Sequence, residues 1–124
     1  MAPAARAQPK PYPIDLAVSD CLEVNSSTAG MVQCLQKGYE KWDEELNKQY
    51  KKLFSRLNKE QKAALQATQR EWMKFRDLEL AYLTELYATQ EGTLYRISLA
   101  SEQLELIKKR ALVLEKHNEL LDMK

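Results

Sequence analysis

The residue types that usually carry catalysis are few in this chain and poorly spaced for it. The one histidine, His117, has no cysteine or serine motif around it, and we interpret it as a partly exposed surface residue. Glu44 and Glu45 are adjacent, so on a helix their side chains point about 100° apart and cannot form an acid–base pair by themselves. No phosphate-binding loop or nucleophile elbow occurs. The sequence therefore predicts no catalytic residue and a protein that is not an enzyme.

The two cysteines, Cys21 and Cys34, have no histidine nearby and do not match the spacing of zinc ligands. We expect no metal site and no cofactor. The cysteines could be reduced thiols in a cytosolic protein or one disulfide in an exported protein. Ala5-Arg6-Ala7 has the small-x-small form of a signal-peptidase site, which favours export. We expect a periplasmic or secreted protein, with the first residues as the remnant of a signal peptide.

Composition places the chain among helical globular proteins. It has 124 residues, of which 44% are hydrophobic and 30% charged, with a net charge of +1. Charges of both signs are interspersed, which argues against a nucleic-acid partner. No apolar run approaches the roughly 20 residues of a membrane span. All four prolines fall by position 13, so we predict a flexible Pro-rich leader over 1–19 and a single helical domain over 20–124.

Apolar periodicity predicts three long helices at about 29–57, 59–89 and 93–121. The first has apolar residues in steps of three and four, as expected for one amphipathic face: Met31, Leu35, Tyr39, Trp42, Leu46, Tyr50, Leu53 and Leu57. Asn58 and Gln61 form the pattern of a capping box, and Gly92 can end the next helix. The predicted fold is all-α, an antiparallel bundle of three long helices with an extended N-terminal leader.

Short connections force each helix to run antiparallel to its sequence neighbour. Residues equally far before and after the turn at Asn58 then lie opposite each other on the two helices, so Leu46 is expected opposite Trp72. The same arrangement brings Asp43 opposite Arg76, and we predict a charge-assisted hydrogen bond between these two side chains.

The third helix carries a second apolar stripe beside its main one. Leu99, Leu106, Val113 and Leu120 recur every seven residues and widen the apolar face. Such a width is typical of contact with more than one neighbouring helix, or of a homodimer.

Three motifs together resemble the LprI-like lysozyme-inhibitor N-terminal domain family, small exported bacterial helical domains of mostly unassigned function. They are Cys21 with Met31-Val32-Gln33-Cys34, then Asp43-x-x-Leu46-Asn47-x-x-Tyr50, then Gln69-Arg70-x-Trp72-x-x-Phe75-Arg76-Asp77. The resemblance covers roughly residues 20–114. We predict that the motif side chains form a mainly structural cluster: Asp43, Leu46, Asn47, Tyr50, Gln69, Trp72, Phe75, Arg76 and Asp77.

One departure from the family pattern bears on the cysteines. Members usually carry a second cysteine pair, at positions that here hold Leu80 and about Ala100. Since both members of that pair are missing, the resemblance implies that Cys21 pairs with Cys34 and staples the leader to the first long helix.

Two functions remain open. The resemblance implies an exported binding protein that inhibits lysozyme or another peptidoglycan-cleaving enzyme. Acidic residues towards the second turn, Glu79, Glu85 and Glu91, would suit a basic enzyme as protein partner. The alternative is an envelope interaction or assembly protein, which dimerises or binds a partner helix through the third helix. The net charge of +1 argues against the inhibitor, and the second stripe favours the assembly protein.

Overall fold

The computed structural model describes residues 11–123, which form four helices. They are α1 (Pro13–Val24), α2 (Thr28–Arg56), α3 (Lys59–Ala88) and α4 (Leu94–Asp122). The all-α class is confirmed for this part of the chain, whereas the predicted count of three helices is wrong. None of the four helices is long and apolar enough to cross a membrane.

The additional helix is α1, which occupies part of the predicted extended leader. Pro13 stands in its first turn, where a missing N–H costs nothing and the fixed φ suits a helix. Ile14, Val18 and Leu22 follow at intervals of four and pack against the core. The prediction of a flexible leader is therefore wrong for residues 13–19, while its residues 1–10 lie outside the described part.

The predicted helix boundaries are confirmed at two caps. The Ser27 hydroxyl accepts a hydrogen bond from the Gly30 amide at 3.0 Å and begins α2. Asn58 and Gln61 exchange side-chain and backbone hydrogen bonds in a complete capping box, which begins α3. Gly92, in the turn before α4, has a φ of 102°, a conformation that side chains with a Cβ rarely adopt.

The core lies mainly between α2 and α4, which run parallel to each other. This parallel packing follows from the two antiparallel connections, α2 to α3 and α3 to α4. Residues early in α2 therefore contact residues early in α4, and late residues contact late ones. Trp42 and Leu46 of α2 and Ile107 and Leu114 of α4 are at most 2% exposed. The expectation that the apolar face of the first long helix would meet the second is wrong, because that face packs on α4 instead.

Gly38 marks the tightest part of this packing. A Cβ built at Gly38 would lie 2.6 Å from both Leu104 of α4 and Val18 of α1. Side chains on two neighbouring helices thus fill the space that any larger residue would need.

The disulfide between Cys21 and Cys34 is present, as the family resemblance implied. The two Cα atoms are 5.7 Å apart, and the bond joins the last turn of α1 to the second turn of α2. The Asn25 side chain donates to the Cys21 carbonyl at 2.8 Å and so closes the connection between these helices. The disulfide therefore holds a helix, rather than an extended leader, against the core.

Helix α3 packs less closely than the others and approaches α4 more than α2. Only Gln69 and Leu83 of its residues are buried. Trp72 is half-buried against the core, whereas Phe75 is 49% exposed. Because α3 stands away from α2, an open cleft remains between these two helices.

Candidate functional site

Motif residues from two helices line the cleft between α2 and α3. Its lower part is a groove of about 280 Å³ lined by Asn47, Tyr50, Gln66, Gln69, Arg70 and Met73. Tyr50 lies across from Gln66 and Gln69, close to the level that the antiparallel turn predicts. At this level the register of the hairpin agrees with the prediction, although the two helices do not pack against each other as predicted.

The side chains on the two sides of the groove differ in packing and exposure. Tyr50 stacks on Phe54 with ring centroids 5.9 Å apart, which fixes the wall formed by α2. Arg70 and Met73 are exposed on the α3 side, while Gln69 is only 7% exposed. Leu46, which the sequence placed in the same cluster, lies instead in the α2–α4 core.

Two guanidinium groups lie close to Trp72, which packs against the core. The Arg76 guanidinium is 5.6 Å from the Trp72 ring centroid, and the Arg110 guanidinium of α4 is 5.8 Å from it. Arg110 also donates from Nε to the Gln69 side-chain oxygen at 2.9 Å. Burial lowers the pKa of Arg110. Arg110 belongs to the run Lys108-Lys109-Arg110, in which no local pattern distinguishes it from a solvent-exposed residue.

The predicted hydrogen bond between Arg76 and Asp43 is not formed. Arg76 donates instead to Asp77, its neighbour along the chain, at 3.0 Å from Nε and 2.9 Å from a terminal nitrogen. The two predicted partners nevertheless lie on the same side of the bundle. Burial raises the pKa of Tyr39, the positive charge of Arg76 lowers it, and the charges of Asp43 and Asp77 raise it. The prediction failed because α3 stands too far from α2 for a direct ion pair.

Phe75 does not belong to the cleft. It projects outwards with three other exposed apolar side chains at helical spacing, which we call the outer stripe: Phe75, Leu78, Tyr82 and Leu86. The sequence placed Phe75 in the structural cluster with Trp72, which lies one turn away. The structure shows that the apolar face of α3 is wider than the surface available to cover it.

An upper groove of about 330 Å³ lies at the other end of the cleft. Leu80 and Ala100 both line it, and these are the positions where the family pattern places a second cysteine pair. Tyr39 lines the same groove. Without a second disulfide, the α3–α4 end of the bundle is held by packing and by side chains such as Tyr87, whose hydroxyl donates to Glu102.

A polar cluster that the sequence analysis did not find fixes α1 in place. Asp15 accepts a hydrogen bond from the Trp42 indole at 3.1 Å and one from the Lys108 ammonium at 2.6 Å. Burial alone lowers the pKa of Lys108, but its hydrogen bond and charge interaction with Asp15 raise it overall. Tyr12 meets the Trp42 ring edge-on at 5.4 Å. The burial of Trp42, whose indole needs an acceptor, was the signal available in the sequence.

A second polar network crosses the opposite end of the α2–α4 interface. Asn118 is 2% exposed, and its side chain donates to the Gln49 carbonyl at 3.0 Å and side-chain oxygen at 2.9 Å. Arg56 donates to Asn118 at 3.2 Å and to Asp122 at 2.6 Å. A buried amide with satisfied partners fixes the register of two packed helices. This network is therefore structural.

Nothing in residues 11–123 groups three His, Cys, Asp or Glu side chains that could hold a metal ion. His117 is exposed and lines a third groove, of about 300 Å³, at the turn between α2 and α3. The arrangement of the described residues offers surfaces for binding, namely the cleft and the outer stripe.

Comparison with known proteins agrees with this architecture. A crystal structure of an uncharacterized protein from Burkholderia thailandensis matches with a TM-score of 0.84 and 31% sequence identity. The match covers 88% of this chain and 54% of that one, so this chain spans about half the length of that relative. No curated protein matches. The family model of the lysozyme inhibitor LprI matches residues 21–114, from the first cysteine into the last turns of α4, and the chain belongs to the LprI family.

Proposed function

We propose that the protein is an exported helical binding protein that inhibits lysozyme or another peptidoglycan-cleaving enzyme. The observation that carries this proposal is the family match over residues 21–114. The disulfide supports export, because such bonds persist in oxidising compartments. The inhibitor acts in this proposal as a binding surface, without chemistry of its own.

The outer stripe is the surface best suited to an enzyme partner. Its four side chains are 49%, 72%, 57% and 44% exposed, in the order Phe75, Leu78, Tyr82 and Leu86. Apolar side chains on successive turns of one helix form a continuous ridge. Aromatic residues at the centre of an interface usually supply most of its binding energy, so Phe75 and Tyr82 are the proposed anchors.

Charge around the outer stripe favours a basic partner. Glu85 is exposed on one side of it, and Glu79 lies on the other. Glu71, on the same side as Glu85, is paired with Lys74 at 3.2 Å and adds no free charge. Lysozymes are usually basic, so the carboxylates of Glu79 and Glu85 would steer such an enzyme towards the stripe although the whole chain is nearly neutral.

The test is a lysozyme assay on a cell-wall suspension with increasing amounts of the protein. We expect saturable inhibition, and we expect Tyr82→Ala to weaken it by about tenfold or more because a hot-spot anchor is lost. Glu85→Lys should also weaken the inhibition, and this loss should be larger at low salt than at high salt because salt screens the charges. Glu23→Lys is the matched control, since it makes the same charge change at an exposed position on α1.

A second function is favoured by part of the α4 surface. Leu120 is 63% exposed and Val113 is 40% exposed, whereas Leu99 and Leu106 of the same predicted stripe are half-buried. A homodimer or a partner helix would cover the two exposed residues. Light scattering after size-exclusion chromatography tests the homodimer: a dimer that Leu120→Asp dissociates would support an assembly role, and a monomer would exclude self-association through this surface.

A further inference from the structure

The upper groove collects polar side chains that have no hydrogen-bond partner within the described part of the chain. Four of the six residues that line it carry hydrogen-bonding groups: Gln36, Tyr39, Glu40 and Gln103. The side-chain hydrogen bonds of α2 and α4 in residues 11–123 are formed by other residues, such as Trp42, Gln49 and Lys108. Two helices therefore present free donors and acceptors to one space of about 330 Å³.

Tyr39 gives the upper groove a wall of fixed position. Its side chain is half-buried and packs against the α2–α4 core, so its placement does not depend on a ligand. Burial is the first cause that raises the pKa of Tyr39, so the hydroxyl stays protonated and can donate a hydrogen bond. Because no described residue accepts this hydrogen bond, the Tyr39 hydroxyl is available to a ligand.

The other two lining residues are apolar. Leu80 of α3 is half-buried, and Ala100 of α4 is 4% exposed and belongs to the core. An apolar surface beside a few convergent polar groups is typical of small-molecule sites, whose volumes are about 300–1,000 Å³. The upper groove lies at the lower end of that range, which suits a ligand of about one sugar ring.

The charge and hydrogen-bonding groups of the upper groove favour a neutral ligand rich in donors. Glu40 is the only charged residue among the six, and none of the five ion pairs in residues 11–123 includes it. A carboxylate accepts hydrogen bonds without donating any, so it matches hydroxyl groups and repels anions. The side-chain amides of Gln36 and Gln103 each donate and accept, which matches an amide on the ligand.

We propose that the upper groove binds a neutral sugar that carries an N-acetyl group. The sugar hydroxyls donate to Glu40, its amide bonds to the glutamine side chains, and its acetyl methyl group contacts Leu80 and Ala100. A neutral peptide would also match the glutamines, but it offers fewer donors to the Glu40 carboxylate. This inference stands apart from the proposed inhibition, which uses the outer stripe.

The test is a titration of the isotope-labelled full chain, followed by nuclear magnetic resonance of the side-chain amide signals of Gln36 and Gln103. Three neutral probes are compared: N-acetylglucosamine, glucose, and the methylamide of N-acetylalanine. We expect saturable shifts with N-acetylglucosamine and at least about fivefold weaker binding of the other two, because glucose lacks the amide and the peptide lacks the hydroxyls. Equal or tighter binding of glucose or of the peptide would overturn the proposal.

Variants assign the effect to its position. Gln36→Ala should weaken the binding of N-acetylglucosamine by at least about fivefold. Gln33→Ala makes the same change at another exposed position of α2, outside the upper groove, and should leave the binding within about twofold. The comparison of the three probes needs no variant and holds even if Gln36→Ala unfolds the chain. Absence of saturable shifts, shifts confined to residues outside the upper groove, or equal effects of the two variants in folded protein would also overturn the proposal.

Discussion

Asp15 is the residue whose replacement should most clearly reveal how α1 is held. Asp15→Ala removes the acceptor of the Trp42 indole at 3.1 Å and the counter-ion of Lys108 at 2.6 Å. Trp42 is 1% exposed, so its N–H would be left without a partner in the core. That alone costs about 1–3 kcal/mol.

The ion pair adds a smaller amount, because it is not fully buried. The Lys108 and Asp15 side chains are 20% and 31% exposed, so solvent screens their attraction, and a contribution of about 1 kcal/mol is appropriate. The total expected for Asp15→Ala is therefore about 2–4 kcal/mol. Asp15→Asn keeps an acceptor for the indole and should cost about half as much.

Urea denaturation followed by tryptophan fluorescence measures both losses. Asp20→Ala, at an exposed position on the same helix, is the matched control and should change stability by less than about 0.5 kcal/mol. A loss for Asp15→Ala no larger than that of the control would refute the reasoning, since it would mean that α1 is held by apolar packing and the disulfide alone.

Three further changes test other parts of the fold. Gly38→Ala should destabilise the protein by about 1–3 kcal/mol in the same urea experiment, because its Cβ would overlap two packed side chains. Replacing Cys21 and Cys34 together by serine should lower the free energy of unfolding by about 3 kcal/mol, and reductant should have no further effect on that variant. Burial and two neighbouring carboxylates raise the pKa of Glu115 above its ordinary 4.5 in the folded state, so stability falls as pH rises from there through the folded pKa. Glu115→Gln should therefore raise the melting temperature at pH 7 and leave it unchanged below about pH 4.

The long helices and their ends could be predicted because they depend on local pattern. The spacing of apolar residues gave α2, and the Asn58–Gln61 capping box gave the turn before α3. Residues 1–19 were predicted as a flexible leader because the prolines at the start of the chain outweighed a short apolar repeat, which allowed at most a turn of helix around Ile14 to Val18. Pro13 in fact begins that helix, which its position in the first turn allows.

The packing partners could not be predicted from the same pattern. An amphipathic face specifies that a helix is covered, without specifying which helix covers it. The sequence indicated that Trp72 and Phe75 share a face, yet only Trp72 reaches the core while Phe75 stays half exposed. The wide apolar face of α4 was the available signal that α4, rather than α3, forms the centre of the bundle.

The polar contacts were the least predictable. Arg76 had two acidic candidates, and the adjacent Asp77 forms the pair instead of Asp43 on the neighbouring helix. Arg110 meets Trp72 and Gln69 only because α3 and α4 run antiparallel at one particular register. Such contacts depend on interhelical distances that differ by a few ångströms, and a sequence pattern does not fix these.

The outer stripe of α3 is the surface that we propose binds a peptidoglycan-cleaving enzyme. The most direct measurement is hydrogen exchange of the full chain, alone and with an inhibited lysozyme, resolved to single helices. We predict slower exchange in the α3 segment around Phe75 and Tyr82, with α1 unchanged, and loss of this protection in Tyr82→Ala. Protection confined to α1 or to the end of α4 at Leu120, or no protection and no inhibition at all, would contradict it.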